Sequence, residues 1–295
     1  MSTPLRFLVL AYAACALIWG TTWYAIRVCV GPGGYPLLEA LVLRFGIAAV
    51  ILGAFATRVS PWPRGRATWA WLGLAGVLNA VGYSLVYEGE AHISGGLAAV
   101  LSGVQPLLMA ALLTITGQDR VARGELVGAG LSLLGVAGIF LDRIDVSWDQ
   151  GLGVALVLGS VVCVTIYLSI MKRHARDAHP LAATVVFVGT TALALLVALV
   201  VRGPATLLWP PPLGPTLALA YLTLFGSVIA FATYFWLLSR VSLMTTGTLA
   251  FVFPLVALVV DAAFEDAVHL APRTYLGVGL TLAGLGVSLR SRARL

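Results

Sequence analysis

The residues of this chain that could act on a small molecule are mostly uncharged. The main exceptions are Arg44 and Asp261, each set in an apolar stretch. A cation two turns inside such a stretch is costly in hydrocarbon and has to face a protein interior or water. Arg44 could answer to Glu39, to a carbonyl freed by a kinked helix, or to the carboxylate of a bound substrate, and a purely structural pairing would serve equally well. Asp261 is the acidic residue best placed for proton coupling, although Glu265 lies one turn away and both could simply be interfacial. Trp19, Thr22, Asn79, Tyr83, Ser102 and Gln105 in the first half and Tyr167, Tyr234 and Phe251 in the second occupy similar depths in their segments. Asn79 and Tyr83 are four residues apart and share one helix face. Such a set makes a largely apolar pocket with a few hydrogen-bonding groups, suited to a small amphipathic ligand. The same residues could also hold helices together or sit at the lipid interface.

Pro106 and Pro254 lie near the middle of apolar stretches. A proline there removes one backbone hydrogen bond and crowds the preceding turn. The freed carbonyls are tolerated at membrane depth only inside protein or beside a water-filled cavity. Paired interruptions in two halves of a chain point to a binding site and its gate, or to plain packing kinks.

Other chemistries lack their residues. Lys172 is the only lysine and follows no glycine-rich loop, so there is no P-loop for ATP. His92, His174, His179 and His269 form no His-x-x-x-His pair, and Cys15, Cys29 and Cys163 have no metal-ligand spacing. No Gly-x-Ser-x-Gly elbow occurs. The expectation is a protein that is not an enzyme and uses no cofactor or metal.

The elements that must position these side chains are membrane helices. Hydrophobic residues make up 60% of the 295 and charged residues 10%, against about 25% charged in soluble domains. Apolar runs long enough to cross about 30 Å of hydrocarbon fall at 7–30, 36–57, 67–88, 93–116, 122–141, 151–172, 180–201, 214–238, 243–264 and 272–290. The first run exceeds a secretory signal and continues through Trp19-Gly20-Thr21-Thr22-Trp23, so it reads as a retained helix. The net charge of +6 does not imply nucleic acid, because the cations sit at helix ends. With a cytoplasmic N-terminus, Arg6, Arg58, Arg64, Arg66, Arg120, Arg123, Lys172, Arg173, Arg176, Arg240, Arg290, Arg292 and Arg294 lie inside, against Arg27, Arg143, Arg202 and Arg273 outside. That asymmetry places both termini in the cytoplasm of a bacterial inner membrane.

The chain also resembles itself at a separation near 150 residues. Trp71–Gly76 corresponds to Tyr221–Gly226, Pro106 to Pro254, and Gly128, Gly130 and Gly135 to Gly277, Gly279 and Gly284. Pro36 and Pro180 open the second helix of each half. Residues 1–145 and 146–295 would each hold five helices, and an odd number inverts the second copy. Inverted repeats suit secondary transporters, whose central site opens to either face. The glycines of the fifth and tenth helices allow close approach, within the chain or in a homodimer.

These features resemble the drug/metabolite transporter superfamily with two EamA repeats. The resemblance rests on Trp19-Gly20-Thr21-Thr22-Trp23, Pro36 with Arg44-Phe45, Ala98-x-x-x-Ser102-x-x-Gln105-Pro106 and the glycine-rich fifth and tenth helices. It implies ten transmembrane helices in two inverted repeats, and within the family it is most similar to YddG-type amino-acid exporters. Gln118-Asp119 stands where the family usually has an acidic residue after the fourth helix, while the second half keeps Glu265-Asp266. The implied function is alternating-access export of small metabolites, foremost amino acids, including aromatic or hydrophobic ones. Efflux of drugs or organic cations is the alternative, and a non-transporting scaffold the alternative of another class.

Overall fold

A computed structural model describes residues 4–59, 61–93, 95–118, 120–140, 148–203, 212–264 and 272–292, and among these the regular structure is entirely helical. The first half comprises α1 (Leu5–Val30), α2 (Leu37–Ala56), α3 (Arg66–Gly89), α4 (Gly95–Ser102), α5 (Gln105–Thr116) and α6 (Arg123–Phe140). The second comprises α7 (Trp148–His174), α8 (Pro180–Arg202), α9 (Leu213–Thr223), a π-helical segment (Leu224–Ile229), α10 (Ala230–Leu238), α11 (Leu243–Gly247), α12 (Leu249–Phe264) and α13 (Pro272–Arg292). Among the described residues, seven helical stretches are long and apolar enough to cross a membrane. The interrupted pair α4 and α5, with α6 and α13, completes ten passes.

The solvent for this fold is lipid on the outside. Val201 and Leu276 are 82% and 75% exposed, as no soluble core helix would leave them, whereas Phe45, Leu72, Phe187 and Phe231 are buried at the centre. Interior packing interleaves the halves. α1 lies against α9, the π segment and α10, and its counterpart α7 lies against α3. α2 meets α8, the other second helix.

The relation between the halves is clearest where α6 meets α13. An added Cβ at Gly128 would stand 2.5 Å from Gly284 O, and one at Gly284 would stand 2.6 Å from Gly128 O. Gly135 and Gly277 meet in the same reciprocal way. Between them Ser132 Oγ donates to Thr281 O (3.0 Å) and Thr281 Oγ1 returns a longer bond to Ser132 O (3.5 Å). Reciprocal contacts between equivalent residues are how two copies meet across a two-fold axis. The helices run antiparallel, with Gly124 beside Ser291 and Ile139 beside Gly277, so the axis lies across them and the second repeat is inverted. Gly128, Gly135, Gly277 and Gly284 are therefore occupied within one chain, while nothing stands within 4 Å of a Cβ added at Gly130 or Gly279.

Both interrupted passes break near, but not equally near, their prolines. The fourth pass opens at Gly103-Val104, and Pro106 follows in the first turn of α5, where its missing N–H does least harm. The ninth pass opens at Thr248 instead, and Pro254 lies inside the continuous α12. The expected symmetric kinks at two prolines thus become a break at one proline and a break six residues ahead of the other.

Candidate functional site

A cavity of about 140 Å³ lies between the two halves, lined by α1, α3 and the α4–α5 break from the first and by α7, α10, α11 and α12 from the second. At about 10–15 Å³ per water centre, this is room for about ten waters or one small solute. Of the side chains expected to bind substrate, Trp19, Thr22, Asn79, Tyr83, Ser102, Gln105, Tyr167 and Tyr234 all line it. Trp23, Ser160, Thr246 and Phe253 join them. Among the described residues that line it, none is charged.

Six of the twenty lining residues are aromatic. Trp19 packs against Tyr234 (5.0 Å between centroids), Phe231 (5.6 Å) and Phe253 (5.7 Å), in tilted or edge-on geometries that suit ring quadrupoles. Its indole N–H is already used, donating to Gly226 O at 3.2 Å. Thr22 and Ser102 likewise bond back to their own helices, to Trp19 O and Ala98 O.

Other polar groups are not used up. Asn79 is 1% exposed and donates Nδ2 to Thr191 Oγ1 (3.2 Å), but its Oδ1 has no hydrogen-bond partner. Trp23 Nε1 is buried without an acceptor. A buried orphan donor or acceptor costs about 1–3 kcal/mol, and two of the lining residues carry one each, Trp23 a donor and Asn79 an acceptor.

Arg44 stands behind this wall rather than in it. It is 1% exposed, and Nε donates to Ser227 Oγ (2.8 Å) and one η-nitrogen to Tyr87 OH (2.9 Å). The other η-nitrogen reaches Tyr83 OH and Gly226 O, each at 3.5 Å. The guanidinium also lies 4.8 Å from the Tyr83 ring centre, a cation–π contact. Glu39 is not among its partners. Its short bonds go to two hydroxyls that sequence had not offered, Ser227 Oγ and Tyr87 OH, and the carbonyl of Gly226, in the π segment with Ser227, is a longer contact. Gly226 packs closely there, since an added Cβ would stand 3.1 Å from the guanidinium. Buried this way, the cation has neutral acceptors on several sides and no carboxylate.

Phe251 does not reach the cavity. It is fully buried on the opposite side of α12, near Gly103 at the α4–α5 break, and Phe253 takes the lining position. Two residues on a helix rotate a side chain by about 200°, and the break at Thr248 resets the phase that sequence cannot see. Pro106 packs close to Gly247, which joins the two broken passes at their breaks. The side chain of Asp261 lies outside the described residues, as do Glu265 and Asp266. Trp23 could have been found, since it lies one turn from Trp19 on the same face. Among the described residues, no three His, Cys, Asp or Glu side chains gather to hold a metal ion.

Comparison with known proteins fits this geometry. The EamA-like transporter family matches the chain twice, over residues 6–141 and 151–290. The protein PagO of Salmonella typhimurium is 24% identical over 95% of this chain and 94% of its own. The inner membrane transporter YedA of Escherichia coli strain K12 is 28% identical over 84% of this chain and 79% of its own. A "probable terminal-alkyne amino-acid exporter" of Streptantibioticus cattleyicolor is 25% identical over 94% and 91%. A solved crystal structure superposes with a TM-score of 0.77 at 18% identity, covering 97% of this chain and 98% of that one, a likeness of fold.

Proposed function

The chain belongs to the EamA-like transporter family, and from that premise we propose that it exports small, net-neutral amphipathic solutes, foremost amino acids including aromatic or hydrophobic ones. The solute binds in the central cavity between residues 1–145 and 146–295, and the two halves rock about their pseudo-two-fold axis to open it to either side. One observation carries the reading. The cavity is partly aromatic and, among its described residues, uncharged, and it draws its walls from both halves, with an unused acceptor on Asn79 and an unused donor on Trp23. An amino-acid zwitterion supplies a donor at its ammonium, an acceptor at its carboxylate, and an apolar side chain for the rings. The relationship to a protein named as an amino-acid exporter supports the same class.

Efflux of organic cations is the weaker reading. It asks for a carboxylate in the cavity, whereas the Arg44 guanidinium stands beside the lining residue Tyr83. At low effective dielectric that charge raises the energy of a second cation nearby.

Counterflow into liposomes loaded with phenylalanine, tryptophan, leucine, a nucleoside or a quaternary ammonium ion tests the proposal. The amino acids should drive labelled uptake; counterflow by the quaternary ammonium ion alone would replace this reading with cation efflux. Both termini in the cytoplasm of the inner membrane complete the proposal. Cysteines at position 147 should label from outside intact cells and those at 174 should not, and the reverse pattern would invert the topology.

A further inference from the structure

A second cavity, of about 290 Å³, lies apart from the solute site where the ends of three helices meet. Its walls come from the last turn of α7 and the loop after it (Met171, Lys172, Arg176), the start of α8 (Pro180) and the end of α10 (Phe235, Leu238). This is the edge of the molecule that the charge asymmetry assigns to the cytoplasm. The two cations in the walls have different tasks. Lys172 Nζ donates to Leu238 O (2.6 Å) and Val241 O (2.7 Å), capping α10 and drawing its end onto α7. Arg176 is exposed and makes a single hydrogen bond, from Nε to Lys172 O at 3.1 Å. Both of its η-nitrogens remain available at the rim. Asp177, the next residue, forms no ion pair with Arg176 among the described residues. The N-terminus of α8, capped by His179 Nδ1 accepting from Leu181 N–H (3.2 Å), adds the positive end of a helix dipole beside it. Below the rim the cavity is apolar.

We propose that this cavity holds the phosphate of an anionic phospholipid, with Arg176 on the phosphate oxygens and an acyl chain against Phe235 and Leu238. A guanidinium with two free nitrogens matches a phosphate in forked geometry. Basic pockets between transmembrane helices at the cytoplasmic surface are where anionic headgroups bind. The apolar floor separates a lipid from free phosphate, which would have no use for it. The inference is independent of which solute the central cavity carries.

The test is native mass spectrometry of the purified full-length protein after exchange into micelles containing phosphatidylglycerol or phosphatidylcholine. The wild type should retain phosphatidylglycerol in preference to phosphatidylcholine. Arg176→Gln should lower that retention about fivefold, the value of one cation near a charged surface; Arg176→Lys should keep most of it. Arg58→Gln, which removes another exposed cation, should change nothing. Equal retention in wild type and Arg176→Gln would overturn the proposal. So would loss of phosphatidylglycerol on adding inorganic phosphate at millimolar concentration, which would make the cavity a site for a free anion.

Discussion

The two halves of this transporter solve one packing problem in two ways. In the second half, Thr191 on α8 donates to Gly76 O on α3 at 2.9 Å. In the first, Arg44 on α2 reaches Gly226 O and Ser227 Oγ in the π segment. Gly76 and Gly226 lie 150 residues apart and are counterparts under the inverted repeat, while Arg44 and Thr191 stand on the corresponding second helices, 8 and 11 residues after the opening prolines Pro36 and Pro180. Each ties a second helix to a small residue in a third helix of the other half. One does so with a short neutral side chain on an ordinary helix. The other uses a buried cation, and the helix it meets is widened into a π turn that offers it a carbonyl and a hydroxyl. Both contacts border the cavity, through Asn79 on the Thr191 side and through Tyr83 and Trp19 on the Arg44 side.

The largest effect should come from removing the asymmetry at its charged side. Arg44→Met takes the donor from the buried hydroxyls of Ser227 and Tyr87, at about 1–3 kcal/mol each before relaxation, while Gly226 O keeps its bond from the Trp19 indole. We expect about 3 kcal/mol of lost stability by thermal unfolding in detergent, and flux near background. Arg44→Lys should not rescue flux, because an ammonium cannot span the same acceptors. Thr191→Val unpairs the single donor Asn79 Nδ2, at about 1–3 kcal/mol, and should cost less than Arg44→Met. Equal losses at the two positions would erase the comparison.

The broken passes give the next largest effect. Pro106→Ala lets the fourth pass close toward a continuous helix. Alanine is favoured over proline by about 3 kcal/mol in a helix interior, of which a shaped bundle returns a part. A bias of about 1.4 kcal/mol changes the ratio of inward-open to outward-open states tenfold. Pro254→Ala should change less, since α12 is already continuous through it. Accessibility of cysteines placed on each side of the cavity measures both, and an equal shift from the two substitutions would restore the symmetric two-proline picture.

Smaller effects belong to the lining. Asn79→Leu and Trp23→Phe each remove one unused polar group, so solute affinity should fall about threefold to tenfold with little change in unfolding temperature. Unchanged affinity in both would move the site elsewhere.

The smallest concerns the end of α3, beyond the membrane span. Burial pushes the Glu90 carboxyl up to about 8, opposed by the charge of Arg27, and neither carboxyl oxygen has a hydrogen-bond partner. Because its folded value lies above the unfolded one, the contribution to stability is complete below about 4.5 and is lost as pH rises through about 8. Glu90→Gln should flatten that decline in a pH series of unfolding temperatures. A wild-type curve that rises across this window would contradict it.

Much of this was legible in the sequence for a physical reason. Hydrocarbon demands continuous apolar length, so the passes could be placed to within a few residues, and the glycines at 128, 135, 277 and 284 marked the two-fold contact because only their size permits it. Asn79 and Tyr83 share a face by simple helical spacing, and both reach the cavity. What sequence could not give was helical phase across a defect. The break at Thr248 turns Phe253 inward in place of Phe251, and the π segment adds a residue to a turn without any composition that announces it. Arg44 was visible as a costly cation, but its carbonyl partner existed only once that π turn had formed.

The central claim, a net-neutral solute in an uncharged cavity backed by Arg44, is tested most directly by a charge series on one scaffold. Counterflow at pH 6 would compare phenylalanine with phenylalaninamide, which is cationic below the α-amino pKa of about 7.7–8.0, and with 3-phenylpropionate, which is anionic. The account predicts uptake driven by phenylalanine, with little by the anion and least by the amide. Uptake driven best by phenylalaninamide would contradict it.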